Sequence, residues 1–223
     1  MAKHEASILF LGKKNSADCQ LAFEFCQQSF AEVTAAVGEW GEPLPDEASR
    51  WNGDYIISYL SRWVVPASLI AQARVAAINF HPASPDYPGI GCNNFALYEN
   101  AAEYGVTCHH MAAQVDAGPI IAVRRFPLFA EDTVASVLKR TYAHQLVLFY
   151  SVVSEILQGR GLPTSKETWT RAPITRKEFN RLGQLTADMS PQELATRIRA
   201  TSYGPWQPTI AIGEHRFKYI PPE

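Results

Sequence analysis

The chain has 223 residues, is 47% hydrophobic and 19% charged, and carries a formal net charge of −2. That length can bury a sizeable core and suits one main domain with a modest appendage. With a pI near 6.3 there is no global basic field to draw nucleic acid or an anionic membrane, so neither is expected as a partner. The opening MAKHEASILFLG lacks a signal-peptide stretch, and no apolar run reaches the roughly 18 residues of a membrane span. Cys19, Cys26, Cys92 and Cys108 form no CxxC pair, which fits reduced, buried thiols and a cytoplasmic location.

In chain order, Ala6–Leu11 reads as a buried strand ended by Gly12, and Ser16 caps a helix over Ala17–Ser29. Strands are expected over Val33–Val37, over Tyr55–Tyr59 after the Asn52-Gly53-Asp54 turn, and over Val75–Asn79, with a short helix from Pro66 to near Ala73 before the last. A helix over Asn93–Ala102 follows, then strands near Gly105–Met111 and Ile120–Phe126. The clearest helix runs from a cap at Asp132 or Thr133 to Gly159, where Val134, Val137, Leu138, Leu146, Phe149, Val153, Ile156 and Leu157 keep three-to-four spacing. This alternation predicts an α/β, Rossmann-like fold with a mainly parallel sheet flanked by helices. After Gly161 the texture changes: one short helix, Pro191–Arg199, and a closing hairpin, Thr209–Ile212 with Phe217–Ile220. The expected organisation is a main domain over 1–161 and a small C-terminal subdomain over 162–223.

Asn79 and His81 lie where the apolar run Val75–Phe80 meets a Pro/Gly-rich loop. The period of two of a strand puts both on one face, at the carboxyl end where open parallel sheets bind ligands. Asp116, in VDAGP, comes 35 residues after His81. An amide, an imidazole and a carboxylate would supply an oxyanion donor, a proton carrier and a base. Singly, each has a plainer role: Asn79 as a turn cap, His81 as a structural residue before Pro82, Asp116 as a turn carboxylate ahead of Gly118. His109 and His110 are adjacent, so a strand sends them to opposite faces; they are not paired ligands, and no metal site is expected.

Together these segments resemble the formyltransferase family, which moves a formyl group from N10-formyltetrahydrofolate to an amine. INFHPASPDYPG is similar to its Asn-x-His-Pro segment and Pro-x-Tyr-x-Gly loop, GVTCHHM to its Gly-Val-Thr-x-His-x-Met strand, and VDAGPII to its Asp-x-Gly-x-Ile turn, with Asp116 seven residues after His109. The resemblance covers roughly residues 6 to 160. It implies direct acyl transfer, with Asn79 donating to the oxyanion, His81 polarising the same oxygen or relaying the proton, and Asp116 orienting His81 or accepting the proton. It also implies a folate site between the loop after the third strand (Tyr59, Leu60, Arg62, Trp63, Val64) and the loop before the Asp (Gln114, Val115).

The amine is read from other residues. The tail from Lys166 onward has nine Lys/Arg against six acids, slight for the RNA grip of a methionyl-tRNA formyltransferase. Gly12-Lys13-Lys14-Asn15-Ser16 lacks the second glycine of the phosphate loop expected of a glycinamide ribonucleotide formyltransferase. PITRKEFNRL and the closing hairpin are most similar to nucleotide-sugar N-formyltransferases. That resemblance implies a dTDP- or GDP-linked amino sugar for surface polysaccharide, and a homodimer. Tyr87 and Trp206 are candidates to pack against the sugar or base of the substrate, against a plainer reading as core, and Lys13, Lys14, Arg176 and Lys177 are candidates for a pyrophosphate, against an equal reading as a solvated face.

Overall fold

The computed structural model describes residues 2–221; residues 1, 222 and 223 of the two expected domains, and with them the tail acid Glu223, lie outside the described residues. The first half alternates strand and helix: β1 (His4–Lys13), α1 (Ala17–Ser29), β2 (Phe30–Gly38), α2 (Asp46–Ser49), β3 (Gly53–Tyr59), α3 (Ala67–Ile70), β4 (Ala73–His81) and α4 (Cys92–Tyr98). Then come β5 (Glu103–His110), β6 (Ile120–Pro127), α5 (Val134–Leu157), α6 (Arg176–Leu182), β7 (Gln184–Leu185), α7 (Pro191–Thr201), β8 (Thr209–Ile212) and β9 (His215–Lys218).

One sheet has the order β2-β1-β3-β4-β5-β6. The first four strands pair in parallel, and β5 runs antiparallel to both β4 and β6. The link from β5 to β6 is shorter than the dozen or so residues that a parallel crossover needs, so this pair has to be antiparallel. Side chains alternate across the sheet. Ile8, Phe10, Ile57, Ile78, Phe80 and Val106 join Cys26 of α1 and Phe149, Val153 and Ile156 of α5 in one core layer. Leu9, Leu11, Ile56 and Ala77 form a second layer with Ala48 of α2 and Leu69 of α3. The ring of Phe149 meets those of Tyr59 and Phe80 at 5.4 and 5.2 Å, and emptying that position would cost about 3–5 kcal/mol.

Helix α5 begins at a capping box in which Thr133 and Ser136 bond each other's backbone N–H. Helix α4 stops at Tyr98 with Glu99 as its C-cap, short of the expected Ala102, and Asn100 turns left-handed at φ +51°. Helix α6 was not expected, although Thr175 and Glu178 form its capping box. The closing hairpin is shifted: its second strand is His215–Lys218, because a two-residue turn at Gly213 (φ +60°) brings Ile212 opposite His215. Strand β7 adds to β8 in parallel and completes a second, three-stranded sheet. Among the described residues no helix is long and apolar enough to cross a membrane.

Candidate active site

Register sets the site. Asn79 is paired with Ser58 on β3 and His109 on β5, on the sheet face turned away from α1 and α5. His81 follows two residues later on the same face and is 4% exposed. Asp116 reaches both imidazoles: Oδ2 is 3.3 Å from His81 Nδ1, and Oδ1 is 3.3 Å from His109 Nε2. The Gly89 backbone N–H donates to Asp116 Oδ2 at 2.8 Å.

The far nitrogen of each imidazole fixes its proton. His81 Nε2 lies 3.0 Å from the Tyr87 carbonyl, and His109 Nδ1 lies 2.8 Å from the His110 carbonyl. A carbonyl only accepts, so both nitrogens carry hydrogen. His109 Nε2 lies 3.1 Å from Asn79 Nδ2. A carboxamide nitrogen has two N–H donors, so at least one remains for a ligand whether His109 Nε2 accepts from it or carries a hydrogen toward Asp116. Burial alone would raise the Asp116 carboxyl, but the charge of His81, the hydrogen bond and charge of His109 and the Gly89 N–H outweigh it and hold it at about 2. Asp116 is therefore ionised at neutral pH.

The turn that delivers Asp116 is tightly constrained. Asp116 itself is left-handed at φ +47°, a conformation more open to Asp than to most side chains. A Cβ on Gly118 would fall 1.8 Å from the His110 carbonyl oxygen, so only glycine fits. The tail holds the turn from outside. Ser165 N–H bonds the Ile120 carbonyl, Thr170 N–H that of Pro85 and Ile174 N–H that of Pro88. The Trp169 indole N–H donates to the Gly118 carbonyl at 2.8 Å, and its ring meets His109 and His81 edge to face at 5.1 and 5.9 Å.

These residues open onto a cavity of about 740 Å³. Leu60, Arg62, Trp63 and Val64 line it from the loop after β3, and Gln114 and Val115 from the loop before Asp116. Lys13, Trp40 and Arg176 line it elsewhere. Arg62 and Arg176 both lie against the Trp40 ring, at 5.1 and 5.8 Å. Burial and the nearby charge of Arg62 lower the Lys13 ammonium below its ordinary range. Among the described residues Lys13 and Arg176 have no carboxylate within ion-pair distance, and Arg62 has only Glu39 at 3.9 Å.

Three expected ligand contacts do not face this space. Tyr59 pairs with Phe80 in register, so alternation turns it into the α1/α5 core, where it is fully buried. The Tyr87 ring packs against Tyr104 at 5.8 Å and its hydroxyl donates to Glu99; only its carbonyl takes part, holding His81. Trp206 is stacked on Tyr203 and stays 69% exposed ahead of β8, away from the cavity lining. Lys14 is taken up by Glu42 at 2.8 Å. The sequence reading passed over Trp40, Trp169 and the part played by His109. Lone aromatics give no spacing signal, but the alternation of β5 put one of its two histidines on the face of Asn79.

Comparison with known proteins follows the same outline. The chain is 23% identical to the GDP-perosamine N-formyltransferase of Brucella melitensis over 94% of its length and 79% of that protein. It is 26% identical to the methionyl-tRNA formyltransferase of Latilactobacillus sakei, over 77% of the chain and 58% of the relative. A likely sugar N-formyltransferase from Mycobacterium tuberculosis superposes with a TM-score of 0.79 at 22% identity, covering 98% of this chain and 99% of that one. An N-formyltransferase from Helicobacter canadensis, solved with folinic acid and dTDP-3-aminofucose, superposes at 0.72 with 17% identity over 93% of this chain and 84% of that one. The formyl transferase family model matches residues 12–153, more than half of the sequence, and the protein belongs to that family.

Proposed function

We propose that the protein moves a formyl group from N10-formyltetrahydrofolate to the amine of an amino-dideoxy sugar carried on dTDP or GDP, in surface polysaccharide biosynthesis such as that of lipopolysaccharide. The observation that carries this reading is the meeting of Asn79, His81 and Asp116 at a cavity lined also by Lys13, Arg62 and Arg176. A buried acid–base pair beside a free amide donor suits acyl transfer, and Lys13 and Arg176, without carboxylate partners among the described residues, suit an acceptor that carries phosphate.

The loops after β3 and before Asp116 fit a flat heterocycle. Leu60, Val64 and Val115 offer apolar contact there. The Trp63 indole N–H is already given to the Glu42 carbonyl at 2.8 Å, so that side chain acts as wall. Bound there, N10-formyltetrahydrofolate would supply the formyl group. The second N–H of Asn79 would meet the oxyanion that develops as the amine adds, a donor worth about 10²–10³ in rate. The new ammonium must lose a proton. Asp116, held at about 2, stays ionised, and His81 keeps a hydrogen on Nε2 for the Tyr87 carbonyl, so the proton would pass to His81 Nδ1, where Asp116 orients the ring and balances the imidazolium.

The same reading includes a cytoplasmic homodimer. All four cysteines are free, which suits a reducing compartment, and Trp206, Ile212, Phe217 and Ile220 are exposed apolar side chains in and beside the closing sheet. The test is incubation with N10-formyltetrahydrofolate and a panel of dTDP- and GDP-linked amino-dideoxy sugars, with product mass read directly. The expected result is the gain of one CO unit on at least one sugar. Formylation of methionyl-tRNA or glycinamide ribonucleotide instead, or folate binding with no turnover, would overturn the acceptor assignment.

A further inference from the structure

Two neighbouring asparagines on α4 are both 8% exposed, yet they are used in opposite ways. Asn94 Nδ2 donates to the Ala200 carbonyl at 2.6 Å and ties α4 to α7. Asn93 lines the main cavity, and its Nδ2 is buried with no hydrogen-bond partner among the described residues. A buried amide nitrogen without a partner carries its desolvation penalty in full, a penalty that a core position would shed by becoming apolar. Its place beside the reaction centre gives the penalty a purpose. The preceding residue, Cys92, has its Sγ 3.8 Å from His81 Nε2.

Several apolar side chains line the cavity on the side of α4, beside the polar Asn94 and Thr175. Phe179 packs against Gly91 so closely that a Cβ there would lie 2.3 Å from the ring. Ile174, Leu138 and Tyr142 line the same cavity, and α4 packs against α5, which carries the last two. This wall differs from the one made by the loops after β3 and before Asp116. A carboxamide with an unused donor beside these apolar side chains suits a ring with few hydroxyls and some bare carbon.

We propose that Asn93 hydrogen-bonds a hydroxyl or ring oxygen of the acceptor sugar and is a specificity-determining residue of this site; the inference rests on the nucleotide-sugar reading above. Because the carboxamide serves the ligand and not the fold, Asn93→Leu keeps the shape of the side chain and removes only the polar group. Replacing an unsatisfied buried polar group with an apolar one is neutral or stabilising.

The test compares wild type with Asn93→Leu and Asn93→Ala, using N10-formyltetrahydrofolate and whichever amino sugar of the panel the wild type formylates. Expected for both variants is a rise of roughly tenfold in KM for the sugar, with folate affinity unchanged. In Asn93→Leu the unfolding midpoint of the ligand-free protein should be equal or higher. An unchanged KM with a lowered midpoint overturns the proposal and makes Asn93 structural. A change in folate affinity with sugar KM unchanged assigns the amide to the other ligand and overturns it too. Absence of wild-type turnover on any sugar is a separate outcome, which removes the nucleotide-sugar reading and the inference with it.

Discussion

The floor of the cavity and its rim are built on opposite plans. On the floor, Asp116 is met by His81, His109 and the Gly89 N–H, and both imidazoles have a carbonyl at the far nitrogen. At the rim, Lys13 and Arg176 have no carboxylate partner among the described residues, and Asn93 Nδ2, closer to the reaction centre, likewise has no hydrogen-bond partner among them. Preorganised groups do chemistry without reorganising, whereas groups left short of partners gain them from a ligand. The floor should therefore set the rate, and the rim the choice of acceptor.

Substitutions that erase this division would break the account. The largest effect is expected for Asp116→Asn, which leaves His81 Nδ1 without its anion: kcat should fall by about 10²–10⁴, measured under saturation with both substrates. Asn79→Ala removes the oxyanion donor and should lower kcat by about 10²–10³; a fall of less than tenfold would remove that role. Acid should weaken the fold through the floor. The Asp116 carboxyl is lowered from 3.8 to about 2 in the fold, so its contribution is present above pH 4 and is lost as pH falls toward 2. The size is about 2 kcal/mol, read from urea midpoints across that range and absent in Asp116→Asn. The smallest effect belongs to the rim: Arg176→Ala should raise the nucleotide-sugar KM about tenfold and leave kcat within a factor of two.

The sequence carried the floor much better than the rim. Asn79, His81 and Asp116 sit at fixed spacings on a strand and a turn, and alternation along β4 fixes which way two of them face. The same alternation excludes Tyr59, one residue out of phase with Ser58, which a loop-based reading of the folate site overlooked. Tyr87 illustrates another limit, since its contribution to His81 is a backbone carbonyl and says nothing through its side chain. The rim joins residues far apart in the chain: Lys13 after β1, Trp40 after β2, Arg62 after β3, and Arg176 at the start of α6. No periodicity links such positions. Trp169 belongs to the same class, since its place against His81 and His109 depends on how residues 165–175 bond the loops near Pro85, Pro88 and Ile120.

The most direct measurement sets Asp116→Asn beside Arg176→Ala in one steady-state assay of formyl transfer to a nucleotide-linked amino sugar, with kcat and KM resolved for each. The account predicts a collapse of kcat with sugar KM nearly unchanged for Asp116→Asn, and the reverse for Arg176→Ala. A kcat that survives Asp116→Asn within tenfold, or one that collapses in Arg176→Ala, would contradict it.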